Sequence, residues 1–406
     1  RSRSTSMDSE QVLFSFTDEN FQTEPETVFA SMREKCPVHL THDPAPHFTL
    51  TREEDVTRAL RDEKIWSSKY GPGLAFSEPG IGVLVSSDPP EHTTERIAIS
   101  RIFKPSVIEK MEDDITELVH ELIDSFEHNK TGDIITDFAA PIPLTVMCWM
   151  LGTPITHIEQ FRRWVLKMAA AVSYPGGREA SDEVKNAYHD FFAYFGAHIE
   201  KRKKAIESKG DYPEDLLTRL LTVTQDGHAL TTKKILGFCQ FLLVAGSETT
   251  TLMIGNILHR LMENPEQFDL LKKNHALIPN AVEESLRYDA PVHGLFRTNN
   301  EKVTMHGVQM PENSKVCMMF ASANRDPKAW DNPNTFDITR DIADLRNHAS
   351  FGVGSHYCLG APLSRLEGTV ALKAIIERLP KIRSNGPPIR TNAGVLKAYS
   401  SLPIRW

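Results

Sequence analysis

The chain has 406 residues, of which 40% are hydrophobic and 25% are charged, as is typical of a globular protein with a substantial core. Its net charge of -8 argues against a general nucleic-acid-binding protein. The five cysteines are widely scattered and form no C-x-x-C pair, so we predict no disulfide framework and a reducing compartment.

The N-terminal segment carries no targeting signal. Residues 1–6 are interpreted as a cloning remnant before Met7, and residues 1–19 are expected to be disordered. The longest apolar stretch, residues 235–245, is about half of the roughly 20 residues that a bilayer requires. We therefore expect a cytoplasmic protein with no signal peptide and no membrane anchor.

Helical spacing dominates the rest of the chain. Short β-like runs occur at residues 38–40, 47–50, 303–305, 315–320 and 395–399. Apolar residues recur at helical spacing in residues 107–126, 158–171, 183–208, 232–262 and 361–379. No repeat or linker divides the chain, so residues 20–406 are predicted to form one domain, mainly α with a small β portion.

A single cysteine lies in a glycine-rich turn at residues 351–360, with Phe351 seven positions before Cys358. A thiolate that binds a haem iron needs a wall that excludes water, backbone N–H groups aimed at it and little bulk nearby. Phe351 is the candidate wall, and Gly352 lets the backbone approach closely. The alternative is a free cysteine that serves as a small core residue.

The predicted helix at residues 232–262 contains a polar interruption, with Ala245 and Gly246 followed by Ser247, Glu248 and Thr249. Glycine costs about 1 kcal/mol inside a helix, and an interior carboxylate costs more unless it is paired or hydrated. Such a violation is expected at a functional site, where a widened turn would hold O₂ and water and Glu248 would relay protons through Thr249. The alternative is a helix that shows a polar face to water.

An acid and two arginines form a third pattern. Glu284 and Arg287 are three residues apart on one helix face, and Arg340 lies in irregular chain shortly before Phe351. Two guanidinium groups on one carboxylate would lock that chain to the core. The E-x-x-R match alone is weak, because an exposed pair of this kind contributes only about 0.3 to 0.5 kcal/mol.

These three segments, in this order, resemble the cytochrome P-450 family of haem-thiolate monooxygenases, and the resemblance extends from about residue 20 to the end. It implies that Cys358 is the proximal ligand of haem b. It also implies that residues 245–249 form the oxygen-binding groove of a long central helix. Glu284, Arg287 and Arg340 would then be the structural triad of the family.

The resemblance also indicates residues for the haem propionates. His92 and Arg96 follow the segment that begins at Asp88, while Arg297 and His356 match two further propionate-binding positions. Two buried carboxylates require cationic or donor partners of this kind. Taken singly, each of these four residues is more typical of a surface or capping position.

The substrate pocket implied by the resemblance is hydrophobic, although each of its residues is equally credible as a core residue. Its predicted walls are Phe76, Leu84, Val85, Val172, Tyr174, Leu242, Ala245, Val292, Leu295 and Leu396. The expected substrate is therefore a small hydrophobic organic molecule.

The resemblance implies an O₂-dependent monooxygenase that hydroxylates or otherwise oxidises this substrate. Electrons would come from NAD(P)H through a ferredoxin reductase and a ferredoxin, and the protein would be a monomer. Arg101, Lys104 and Arg365 form a predicted docking patch for the ferredoxin. Two alternatives remain, a peroxide-driven haem-thiolate enzyme and a non-catalytic haem sensor or carrier. Glu248 and Thr249 count against the peroxide-driven enzyme, which needs no proton relay.

Overall fold

The computed structural model describes residues 14–173, 181–225 and 227–406. The predicted fold class is confirmed, because 57% of the described residues are helical and the strands among them form only small sheets. The α-helices are α1 Glu19–Thr23, α2 Pro25–Lys35, α3 Glu53–Arg61, α4 Glu91–Ser100, α5 Pro105–Ile108, α6 Glu112–Phe126, α7 Pro141–Leu151, α8 Ile158–Ser173, α9 Asp182–Glu207, α10 Leu216–Thr222, α11 Thr232–Glu263, α12 Pro265–Lys273, α13 Ile278–Tyr288, α14 Phe320–Ala323, α15 Ile342–Leu345 and α16 Ala361–Arg378.

The strands are short and pair across long stretches of sequence. They are β1 Val38–Thr41, β2 His47–Leu50, β3 Trp66–Ser67, β4 Thr131–Asp133, β5 Thr224–Gln225, β6 His228–Ala229, β7 Leu295–Asn299, β8 Val303–Met305, β9 Val308–Met310, β10 Lys315–Met318, β11 Arg383–Ser384, β12 Ile389–Ala393, β13 Leu396–Ser401 and β14 Pro403–Arg405. The largest sheet has the order β1-β2-β10-β7-β3, in which β2 and β10 run parallel. This sheet joins the N-terminal part of the chain to residues 295–318.

Helix α11 is the central element of the fold. The Thr231 side chain caps its first turn by accepting from the backbone N–H of Lys234. The helix packs against α7, α8, α9, α13 and α16. This packing places the polar segment at residues 245–250 in the middle of the core.

Helices α6 and α7 show two ways in which the structure differs from the sequence prediction. The predicted helix at residues 107–126 is interrupted by a 3-10 turn, so that α6 begins only at Glu112. Helix α7 was not predicted, and nearly all of its side chains are buried. A helix that is apolar on every side shows no amphipathic period, so periodicity does not detect it.

The packed part of the chain begins before residue 20, which was the predicted start of the domain. Phe14 and Phe16 are buried, and their ring centres lie 5.1 Å apart. Both rings also contact Phe21 in α1. Apolar burial of these rings fixes the segment against the sheet.

Among the described residues, two helical stretches are long and apolar enough to cross a membrane, Ile134–Leu151 and Thr232–Glu263. However, 78% and 67% of their apolar windows, respectively, are buried inside the fold. Core helices of large domains have this composition, so the two stretches are weak indications of a membrane span.

Candidate active site

A cavity of about 270 Å³ lies between α11 and the cysteine turn that precedes α16. Its surface is mostly apolar, with a few polar groups, as is typical of a site for a hydrophobic group. Every predicted cofactor-binding residue lines it: His92, Arg96, Arg297, Phe351, Gly352, His356 and Cys358. The structure thus brings together residues that are separated by more than 250 positions in the sequence.

Cys358 lies on one wall of this cavity, immediately before the N-terminus of α16. The backbone N–H groups of Gly360 and Ala361 lie near its sulfur, and burial raises the pKa of the thiol. The same N–H groups and the positive charges of Arg96 and Arg365 oppose that rise. Donors and cations of this kind stabilise a thiolate, which is the form that binds a metal.

The turn is held in place by its own backbone. The Cys358 N–H donates to the Phe351 carbonyl over 2.8 Å, which closes the turn between these two residues. Gly354 has φ +86°, and a Cβ at this position would lie 3.1 Å from the Leu60 carbonyl oxygen. Both the backbone angle and the close approach therefore favour glycine at position 354.

The four residues predicted to bind propionates form one cluster, in which Arg96 and Arg297 carry the positive charge. The rings of His92 and His356 stack with centres 3.8 Å apart. Burial, together with the neighbouring arginines, lowers the pKa of His92 to about 4 and that of His356 to about 2. Arg297 is buried, and its Nη1 donates to the Trp66 carbonyl over 3.1 Å.

This cluster fits the two carboxylates of a haem. Among the described residues, neither Arg96 nor Arg297 forms an ion pair with an acidic side chain, although both line the cavity. Unpaired buried cations are costly, and an anion in the cavity would offset that cost. The residues present are therefore suited to a dianionic group with an apolar ring, next to a thiolate ligand.

Helix α11 forms the opposite wall. Leu242, Ala245, Gly246 and Thr249 line the cavity, and the Thr249 hydroxyl donates to the Ala245 carbonyl over 2.7 Å. The segment nevertheless stays α-helical throughout, without the widened turn that the sequence predicted. A Cβ on Gly246 would lie 2.8 Å from the Met147 sulfur, so this glycine also serves packing against α7.

Glu248 lies beside this wall rather than in it. The carboxylate is partly buried and does not line the cavity. Burial raises the pKa of Glu248, and the charge of Arg162 on α8 opposes that rise. A carboxyl group with a raised pKa, one residue from Thr249, is suited to hold and release a proton.

Glu284, Arg287 and Arg340 come together as the resemblance implies. Arg287 Nε donates to Glu284 Oε2 over 2.9 Å and Nη2 donates to Oε1 over 2.5 Å, and both side chains are fully buried. Arg340 Nε lies 3.4 Å from Glu284 Oε1. Arg287 and Arg340 also donate to backbone carbonyls at residues 324–335, which fixes the irregular chain before the cysteine turn.

The predicted substrate walls divide into two groups. Leu84, Val85, Leu242, Ala245, Val292 and Leu295 line the cavity. Phe76 does not, because it is 58% exposed and lies over the ammonium group of Lys315. Leu396 is buried behind the wall, where its backbone bridges to Val292. Tyr174 and the side chain of Val172 lie outside the described residues.

Several cavity residues were missed by sequence reasoning. Met147 and Phe241 line the cavity from helices α7 and α11, where no motif marks them. Glu367 also lines it from α16, and burial raises the pKa of its carboxyl group well above the usual range. Its position nine residues after Cys358 was the available signal.

The three predicted docking residues are not equivalent. Arg101 and Lys104 are exposed to solvent at the end of α4 and in the segment after it. Arg365, in contrast, pairs with the buried carboxylate of Glu283 and donates to the Tyr357 hydroxyl over 3.2 Å. Its guanidinium group is therefore committed to the protein interior.

Comparisons with known proteins identify the family of the chain. A family model described as Cytochrome P450 matches residues 14–396. Erythromycin C-12 hydroxylase of Saccharopolyspora erythraea is 33% identical over 353 residues, which cover 87% of this chain and 86% of that protein. The structure of cytochrome P450 CYP109Q5 from Chondromyces apiculatus matches with a TM-score of 0.85 at 32% identity and covers 97% of both chains.

A further structure, CYP109E1 from Bacillus megaterium in complex with testosterone, matches with a TM-score of 0.86 at 29% identity. The match covers 96% of this chain and 99% of that one. Relatives of the chain include named hydroxylases and epoxidases, and the family binds haem through a cysteine thiolate. The chain is therefore an oxidoreductase and belongs to the bacterial cytochrome P450 family.

Proposed function

We propose that this protein is a haem-thiolate monooxygenase that uses O₂ to hydroxylate a small hydrophobic substrate. The observation that carries the proposal is the cavity itself. Cys358 lies on one wall and Thr249 on the other, and the cavity is also lined by Arg96 and Arg297, which pair with no acidic side chain in the described part of the chain. When bound, haem b would supply reductive activation of O₂, which thiolate ligation favours.

Each residue at the site then has a specific task. Cys358 would bind the iron, with its charge stabilised by the nearby N–H groups of Gly360 and Ala361. Arg96, Arg297 and the stacked histidines would hold the propionates. Phe351 would shield the sulfur from water.

Proton delivery is assigned to Glu248 and Thr249. The raised pKa of Glu248 favours the protonated form of its carboxyl group, which can then donate a proton. The Thr249 hydroxyl, which donates to the Ala245 carbonyl, faces the cavity and can pass a proton to a water there. This pair favours the O₂-dependent reaction over a peroxide-driven one, in which no relay is needed.

The substrate side of the cavity is apolar. Leu84, Val85, Leu242, Val292 and Leu295 offer no charge, so the pocket selects by shape and by the placement of a C–H bond near the iron. One similar structure holds testosterone, and one relative hydroxylates erythromycin. A hydrophobic molecule that presents an unactivated C–H bond is the proposed substrate class.

Electrons are proposed to come from NAD(P)H through a ferredoxin reductase and an acidic ferredoxin, in a cytoplasmic monomer. Arg101 and Lys104 supply exposed positive charge for docking. We expect Arg101→Glu to slow reduction and weaken its dependence on salt. An unchanged rate and salt dependence would exclude this patch.

The carbon monoxide difference spectrum of the reduced protein tests the haem assignment. We expect a red-shifted thiolate-type band in the wild type and in the control Cys36→Ala, and its loss in Cys358→Ala. Persistence of the band in Cys358→Ala would contradict the assignment.

Product assays separate the remaining possibilities. Screening steroids, terpenoids, aromatics and fatty acids for displacement of the iron-bound water gives ligands. We expect turnover of such a ligand to require NAD(P)H, ferredoxin, its reductase and O₂. Turnover with peroxide alone would indicate the peroxide-driven enzyme, and binding without product in either assay would indicate a sensor or carrier.

A further inference from the structure

A buried lysine lies behind the loop that leads into the cavity wall. Lys315 is the first residue of β10, and its side chain is only 2% exposed. No carboxylate in the described part of the chain pairs with its ammonium group, and burial lowers the pKa of Lys315 to about 8. A lysine is almost never fully buried without a counter-ion, so this charge requires another explanation.

One loop surrounds the ammonium group. Lys315 Nζ donates to the Tyr70 carbonyl over 2.9 Å and to the Gly71 carbonyl over 3.0 Å. It also lies 5.0 Å from the centre of the Phe76 ring. An ammonium group has three N–H donors, and here two meet carbonyl oxygens while the charge faces an aromatic ring. Residues 70–76 thus replace water around the cation.

The same loop borders the cavity. Pro72 lines the cavity, and its carbonyl accepts from the Phe296 N–H over 2.8 Å. The Ser77 N–H donates to the Tyr70 carbonyl over 2.9 Å, which closes the loop on itself. Beyond Leu74 the chain is exposed as far as residue 81, and it then returns to the cavity at Leu84 and Val85.

We propose that Lys315 is a positioning residue for the substrate cavity. Its side chain holds residues 70–76 in place and determines how readily this wall opens to a hydrophobic ligand. The proposal rests on the proposed function in one respect, that the ligand of the cavity is the substrate. This role accounts for the position of Phe76, because its ring lies against the Lys315 ammonium group instead of lining the cavity. Lys315 contacts neither substrate nor cofactor in this role.

The energetics of a buried cation make the proposal testable. Replacing a buried charge by an apolar side chain of similar length is often neutral or stabilising for the whole protein. The loop, however, loses two charge-assisted hydrogen bonds. We therefore expect Lys315→Met to keep or raise the unfolding midpoint in denaturant, while backbone amides of residues 70–77 exchange with solvent at least about tenfold faster.

Binding of an iron-ligating azole gives a second measurement on the haem-loaded protein. We expect Lys315→Met to accelerate association of the bulky 4-phenylimidazole by several-fold. Association of cyanide, which is small enough to pass a closed loop, should change little. Lys302→Met is the matched control, since this lysine is exposed in the turn before β8 and should alter neither exchange nor binding.

Hydrogen exchange tests the proposal independently of the haem chemistry, because it measures the opening of the loop backbone directly. Unchanged exchange of residues 70–77, or faster exchange together with a lower unfolding midpoint, would reduce Lys315 to a packing role and overturn the proposal. If Lys315→Met does not fold, Phe76→Ala removes only the exposed ring. We then expect about two- to fivefold faster exchange of the loop, and no change would overturn the proposal equally.

Discussion

The two sides of the cavity are built by different means. On the cysteine side, carboxylates and cations are buried together, as in Glu284 with Arg287 and Glu283 with Arg365. On the loop side the wall is apolar, and Phe76 and Ile81 are 58% and 55% exposed. Charge pairs fix positions through direction and distance, whereas apolar contacts do not. The contrast indicates a cofactor side with one geometry and a substrate side that adapts.

The Glu283 network shows how the cysteine side is fixed. His348 Nε2 donates to Glu283 Oε2 over 2.8 Å, and Arg365 binds both oxygens of the same carboxylate. The Arg365 guanidinium lies 4.9 Å from the centre of the Phe351 ring. The Glu283 carboxylate therefore positions the Arg365 guanidinium beside the ring of Phe351.

The largest effect is expected from breaking the buried pair of the structural triad. Arg287→Ala leaves the fully buried Glu284 carboxylate without its bidentate partner, and we expect a loss of about 3–5 kcal/mol in the free energy of unfolding. Denaturant titration measures it, with the exposed Arg346→Ala as control. A loss below about 1 kcal/mol would show that this side is not held by its charges.

Acid should weaken the same side through Glu283. Burial alone would raise the pKa of this carboxyl group, but hydrogen bonds from His348 and Arg365 lower it from 4.5 to about 2. Because the folded-state pKa is lowered, the unfolded chain binds the proton more tightly than the folded protein. The contribution of Glu283 to folding stability is therefore present above pH 4.5 and is lost as the pH falls towards 2. The full linkage amounts to about 3 kcal/mol.

Denaturant titrations between pH 5 and pH 3 measure this contribution. We expect Glu283→Gln, which does not titrate, to lose about 2 kcal/mol less than the wild type over this interval. Equal losses in the two proteins would show that Glu283 titrates normally in the folded state.

A pair of glycines compares the two sides directly. Gly354 in the cysteine turn and Gly80 in the exposed segment after residues 70–76 have nearly the same φ, +86° and +85°, but a Cβ meets the Leu60 carbonyl oxygen only at position 354. We expect Gly80→Ala to cost about 1 kcal/mol from backbone strain alone. Gly354→Ala should cost about 2–3 kcal/mol, because no side-chain movement relieves the contact. Equal costs in thermal or denaturant unfolding would remove the distinction.

The smallest effect is expected in the exposed segment that follows the loop. Ile81→Ser replaces a side chain that is 55% exposed, and we expect less than about 0.5 kcal/mol of change in unfolding free energy. The same denaturant titration checks this value. A larger loss would show that the loop is packed as firmly as the cysteine turn.

The sequence was most informative where chemistry restricts the residue type. Cys358, Arg96 and Arg297 were identified by motif, and the structure brings them to one cavity. Wall residues were less predictable, because any apolar side chain of suitable size fills such a position. Met147 lies on a helix that is apolar on every side, so the sequence pattern did not indicate it. Phe76 lies outside the predicted pocket, where its ring contacts the ammonium group of Lys315, which the sequence did not predict.

The pairing of distant strands has a consequence for biosynthesis. Strand β4, at Thr131–Asp133, pairs with β14, at Pro403–Arg405, and β2 pairs with β10. At roughly 5–20 residues per second, translation supplies β14 tens of seconds after β4 has left the ribosome. During that time the edge of β4 has no partner, and such nonlocal closure is slow in itself. The sheet β11-β14-β4 can therefore be completed only after β14 has been synthesised.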